Sequence, residues 1–132
     1  MTNYPLAEIV SRLVVAGRGY HQTVNLPKGT MVLKILTLFL RQGLIQNFSV
    51  KREFIEVKLK YFRRKPLIKS IAVISKPGHR VYWSLNLLSC NYNANAFGGF
   101  YIISTSKGLF TSNECLTTVG QGGEVLYKIT LN

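Results

Sequence analysis

One four-residue pattern in the chain has catalytic precedent: Ser104, Thr105, Ser106 and Lys107. Ser-x-x-Lys supplies the nucleophile and base of penicillin-binding proteins and related lactamases. Here it directly follows the apolar run FYII (100–103), and Gly108 comes next. Two other readings fit the same residues. The segment can be a strand-to-helix turn, its hydroxyls bonding local backbone and Gly108 relieving the bend. Alternatively it holds hydroxyls up to a partner, since each can donate to and accept from base edges, phosphates and ribose 2′-OH groups. The catalytic reading also needs Ser-Asp-Asn and Lys-Thr-Gly elements, and neither occurs.

Composition narrows the choice further. The 132 residues carry 17 Lys and Arg against 5 acids, a net charge of +12. All five acids are Glu (8, 53, 56, 114 and 124), so Asp-anchored triads, carboxylate pairs and magnesium sites lack their residues. Two His and two Cys, scattered, give no zinc-ligand spacing. Cys90 and Cys115 read as buried or idle thiols rather than a disulfide. Hydrophobic residues make up 47 %, enough for a core, and so basic a folded domain attracts polyanions, nucleic acid first. The run MVLKILTLFL, about half of a roughly 20-residue membrane span, reads as a soluble helix. No strongly basic amphipathic helix supports membrane binding.

The elements that would position these residues are legible from periodicity. Leu6, Ile9, Val10, Leu13 and Val14 recur at helical spacing, with Pro5 at the start and Gly17 as a stop. QTVNL is a short strand. A second helix is expected over 30–42, capped by Thr30 and followed by Gly43. In FIEVKLKYF, Ile55, Val57, Leu59 and Tyr61 alternate with charges as a half-buried strand, and LIQNFSV is its hairpin partner. RRKP (63–66) is a basic turn that ends this lobe. LIKSIAVIS is a strand closed by a tight turn at Pro77-Gly78. HRVYW is extended, SLNLLSCNYNANAFGG a short helix and loop, and FYIIS and EVLYKITL are strands with TSNECLT helical between them. GQGGE (120–124) reads as a hairpin bend. The expected fold is α+β with two small lobes. Residues 1–65 form an N-terminal α-β-α-β-β lobe, and residues 66–132 a β-rich lobe with short helices, the lobe to which the resemblance given below assigns RNA binding.

The basic run at 51–69 is expected to be a phosphate footprint rather than only a solvated face. Tyr20, Phe62, Tyr82 and Trp83 stand near basic residues and could stack on bases.

Three blocks, SKPGHRVY, ISTSKG and GQGGEVLYKI, in this order and spacing resemble the bacterial-type S-eight family, the eighth protein of the small ribosomal subunit. AEIVSRLVVAG resembles that family's opening helix, and LPKGTMVLKILTLFLRQGLIQNF its strand, turn, helix and strand. The resemblance implies a structural, non-enzymatic protein without cofactor, metal or small-molecule substrate. Its partners would be small-subunit ribosomal RNA, bound at the central domain early in assembly, and neighbouring ribosomal proteins, with no membrane. By matching position it assigns RNA contacts to Ser104, Thr105, Ser106, Lys107, Gly108, Tyr82 and Glu124. It extends them to Arg80, Lys76, Ser11, Arg12 and Lys28. Val14 and Val15 stand where the family carries Arg and Asn, which weakens the first helix as a contact. The Asn-rich segment 84–99 and the depleted acids suggest an organellar, mitochondrial member rather than a plastid or bacterial one. No Arg- and Ser-rich transit segment precedes the first helix, which leaves an organelle-encoded chain or a removed presequence. The alternative is an RNA-binding regulator acting on messenger RNA outside the ribosome.

Overall fold

The computed structural model describes residues 5–76, 78–94 and 99–131. Pro77 of the expected turn, residues 95–98 of the expected loop and the side chain of Leu6 lie outside the described residues. The architecture is α+β, as the patterning predicts, and the chain divides into two compact units, residues 5–69 and 70–131.

The first unit opens with α1 (Pro5–Arg18), which buries Ile9, Leu13 and Ala16. Gly17 is not its stop. It sits within the helix, where a Cβ would lie 3.3 Å from the ring of Pro66. The left-handed residue that ends the helix is Tyr20 (φ 56°). β1 (Thr23–Pro27) follows, then α2 (Thr30–Arg41), whose Val32, Ile35, Leu36, Leu38 and Phe39 are buried. Gly29, not Thr30, is its N-cap, and no side chain caps it. Gly43, in the left-handed region at φ 73°, follows the C-cap Gln42 as predicted.

β2 (Ile45–Val50) and β3 (Phe54–Leu59) form the expected hairpin, and the sheet order is β1-β3-β2, with β3 antiparallel to both neighbours. Ile55 and Val57 are the buried residues of the alternation. The strand stops at Leu59 rather than reaching Tyr61. Tyr61 and Phe62 instead form β4 (Tyr61–Phe62), paired with β5 (Lys65–Pro66) in a small separate hairpin.

The second unit is built around a five-stranded sheet. Its strands are β6 (Ile68–Val73), β7 (Tyr82–Trp83), β8 (Gly99–Thr105), β9 (Gly108–Thr111) and β10 (Gly123–Leu131). The path runs β6-β10-β8-β9, and β7 also pairs with β10. α3 (Leu85–Ala94) precedes β8. After β9, α4 (Ser112–Glu114) runs into a π-helical turn, Cys115–Val119, in place of the single helix expected over TSNECLT. A reciprocal cap begins this segment. The Thr111 hydroxyl accepts from the Glu114 amide, and the Glu114 carboxylate accepts from the Thr111 amide. The core of the unit comprises Leu88, Tyr101, Ile103, Cys115 and Val125, flanked by Trp83 and Phe110.

Buried Ser75 ties this core to the following loop. Its hydroxyl donates to the Val125 carbonyl at 2.6 Å and accepts from the Val81 amide at 3.1 Å. The two thiols differ. Cys90 is exposed and Cys115 buried, both free. Burial, aided by the Glu114 carboxylate, pushes the Cys115 thiol up to about 11. A raised thiol pKa means the unfolded chain releases its proton first. Cys115 therefore lowers stability only as pH rises from about 9 towards 11, and contributes no pH dependence below that window. At pH 8 a disulfide-exchange reagent should label Cys90 quickly and Cys115 only after denaturant is added. Two thiols reacting together in the native protein would contradict this packing.

Candidate nucleic-acid interface

The hydroxyl segment is the tip of a β-hairpin, not a strand-to-helix turn. β8 and β9 pair from Ile102↔Thr111 out to Thr105↔Gly108, leaving Ser106 and Lys107 as the two loop residues. Gly108, with φ 130°, absorbs the backbone twist that a side chain would resist. Thr105 organises the tip from inside: its hydroxyl accepts from the Lys107 amide at 3.1 Å and donates to the Gly108 carbonyl at 3.0 Å. Ser106 and Lys107 are exposed, whereas Ser104 and Thr105 are half-buried. Among the described residues no hydrogen bond joins Ser104 to Lys107.

β10 brings the other groups to this tip. Glu124 lies opposite Ser104 on β8 and opposite Tyr82 on β7. Cross-strand partners share a sheet face, so Ser104, Glu124 and Tyr82 form one row across three strands. Tyr82 is 68 % exposed, with its ring open to solvent. The Glu124 side chain is only 18 % exposed, and Arg80 donates to its carboxylate at 3.4 Å. This half-exposed pair contributes little to stability, but it places one carboxylate and one guanidinium side by side at the row's centre. Lys76 stands on the adjoining loop, where it forms an isolated bridge with His79.

The sequence reading passes over one residue of the cluster. Gln121 donates from its amide to the Ser106 hydroxyl at 2.8 Å and so fixes the tip from the glycine loop. Its only sequence signal is its place between Gly120 and Gly122. That loop is not a hairpin bend. Gly120 (φ 70°) ends the π-helical turn, while the next two glycines allow close backbone approach. A Cβ on Gly122 would lie 2.2 Å from the Trp83 carbonyl oxygen, and one on Gly123 would lie 2.2 Å from that of Ser104.

Ser11, Arg12 and Lys28 belong to the first unit. Ser11 and Arg12 line a cleft of about 490 Å³ with Val15, His21, Thr23 and Asn25. The Arg12 guanidinium donates to the Asn25 carbonyl at 2.9 Å and to Glu8 at 3.0 Å, fastening α1 to β1. The Lys28 ammonium donates to the Arg52 carbonyl at 3.3 Å. No helix among the described residues is long and apolar enough to cross a membrane.

Comparison with known proteins decides the kinship. The family model of ribosomal protein S8 matches residues 4–130. The chain belongs to the ribosomal protein S8 family. It is 37 % identical over 130 residues to the small ribosomal subunit protein uS8 of Citrifermentans bemidjiense, covering 95 % of this chain and 96 % of that protein. The uS8 proteins of Chlorobium chlorochromatii and Anaplasma marginale are each 35 % identical. Those matches span 94 % and 92 % of this chain, and 95 % and 93 % of the relatives. The resemblance read from the three C-terminal blocks is thereby borne out, and this family is a structural, non-enzymatic one.

The glycine geometry makes a direct prediction. Gly123→Ala should destabilise the second unit by about 2 kcal/mol or more, because the opposing atom is backbone that cannot yield. Gly78→Ala, where a Cβ meets nothing within 4 Å, should stay within about 0.5 kcal/mol of the parent. Urea denaturation of the two variants checks the contrast, and equal midpoints would contradict the close approach.

Proposed function

We propose that this chain is a structural component of the small ribosomal subunit that binds the central domain of small-subunit ribosomal RNA and supports its assembly. The observation that carries the reading is the Ser104–Glu124–Tyr82 row beside an exposed hydroxyl tip, in a chain of net charge +12. Each group has a task suited to irregular RNA. The Ser104, Thr105 and Ser106 hydroxyls meet base edges and 2′-OH groups, and the Tyr82 ring offers a stacking face. Lys107, Lys76 and Arg80 meet phosphates. The Gly108 backbone lets the tip approach the RNA closely.

Glu124 is the group that electrostatics alone would exclude, since a carboxylate repels phosphate. With Arg80 beside it, it can accept from a base amino group, which phosphate cannot imitate. Ser11, Arg12 and Lys28 add contacts from the first unit. There Arg12 and Lys28 are already committed to carbonyls, and Val14 and Val15 put no charge on the helix between Arg12 and Arg18. The mitochondrial setting is proposed on composition alone, on the absence of Asp and the excess of Lys and Arg; the relatives named above are bacterial.

Two measurements test the reading. Affinity for a central-domain transcript should fall about a thousandfold between roughly 50 and 200 mM salt if six or more phosphates are engaged. A flat response would contradict the electrostatic part. Ser106→Ala should cost on the order of 1 kcal/mol or more on that transcript, and less on random RNA. Equal losses on both would mean that the tip carries no specificity.

A further inference from the structure

The described residues with left-handed backbone that are not glycine number three, and all lie around one tyrosine. Tyr20 (φ 56°) stacks on Tyr61 with ring centroids 6.0 Å apart, and Arg63 (φ 52°) and Arg64 (φ 66°) form the turn that follows it. The Tyr61 hydroxyl donates to the His21 carbonyl, locking the end of α1 to the β4–β5 hairpin. A two-residue hairpin turn with both residues left-handed ordinarily takes Asn-Gly, because a Cβ is disfavoured there. Two arginines at such a turn set stability against what the side chains can do, and observed strain of this kind points to function.

The surroundings say what that function is. Phe62 and Tyr20 are each 62 % exposed, and the Arg63 guanidinium lies 5.2 Å from the Phe62 ring centroid. Tyr61 also closes a cleft of about 480 Å³ lined by Gln22, Thr23, Gln46, Lys58 and Lys60. Thr23 and Lys58 are cross-strand partners, which puts a hydroxyl and an ammonium side by side in its lining. No carboxylate pairs with Lys58, Lys60, Arg63 or Arg64 among the described residues. Glu56, two positions before Lys58, does not line the cleft. The cleft therefore gathers two cations with amide and hydroxyl donors and no carboxylate in its lining, and the hairpin that begins at Tyr61 adds two further cations and an exposed ring.

We infer that this cleft and hairpin form a second RNA contact, in which the cleft holds a backbone phosphate and Phe62 with Arg63 and Arg64 grips the flanking single-stranded nucleotides. The inference rests on the RNA-binding reading and adds to it a sequence-tolerant site in the first unit, separate from the hydroxyl tip. An acidic face of a neighbouring protein would also suit the cations. It would not use the amide and hydroxyl donors that line the cleft or the exposed rings, so RNA is the better match.

The test uses the full chain with Arg63→Asn and Arg64→Gly together, a change that removes two cations while relaxing the turn. The probes are poly(U) and a central-domain transcript. The variant should melt a few degrees higher, and its slope of log affinity against log salt on poly(U) should shrink by about 1.4, roughly 0.7 for each phosphate no longer neutralised. Lys58→Gln with Lys60→Gln, which leaves the turn untouched, should shrink the slope similarly. Cys90→Ser, an exposed position outside both proposed RNA contacts, should leave the poly(U) slope unchanged when run in parallel. A parent that binds RNA while both paired variants keep its slope overturns this inference alone, and protein-facing cations would give that result. A parent that binds neither RNA defeats the RNA-binding reading itself.

Discussion

The second unit depends on how closely β10 can approach its neighbours. At its start the backbone passes so near the Trp83 and Ser104 carbonyls that no Cβ fits at residues 122 or 123. That approach sets the register, and the register puts Glu124 between Ser104 and Tyr82. The row of groups proposed to meet RNA is thus a consequence of backbone packing. Further along, β10 shifts register between Val125 and Tyr127, so Val125, Leu126 and Tyr127 are all buried in succession. The strand anchors itself in the core beyond the bulge and presents polar groups before it.

Rigidity at the site comes from small polar groups that bond backbone. Ser75 holds the loop before β7, Thr105 shapes the hairpin tip, and Gln121 steadies Ser106. Such bonds are individually modest, but each removes freedom that binding would otherwise have to remove. Electrostatics works at a different level. A net charge of +12 draws RNA to the protein from any direction, and cannot by itself choose a site. The hydroxyl tip and the Arg80–Glu124 pair supply groups able to discriminate bases from phosphates.

Much of this was legible in the sequence wherever local rules agree with tertiary demands. The alternation around Ile55 and Val57 gave β3, and the glycine after α2 marked its end. The three C-terminal blocks gave the family. Local rules failed where packing overrode them. Gly17 looks like a helix stop but is a contact with Pro66, and the left-handed position fell on Tyr20 instead. Thr30 looks like a cap, yet Gly29 holds that place. β9 was missed because four residues after a polar loop carry no readable period, and only pairing with β8 makes them a strand. Gln121 was invisible for a similar reason, since its partner Ser106 is fifteen positions away in sequence. The candidate site was therefore legible as residue types, while the row that unites them required the register.

Crosslinking the chain to a central-domain transcript, followed by mapping of the attached peptides, tests the central claim most directly. The account predicts crosslinks at Tyr82, at residues 104–108 and beside Glu124, reached together because they share one sheet face. Crosslinks confined to the basic segment 51–69, with none on the hydroxyl hairpin or β7, would contradict it.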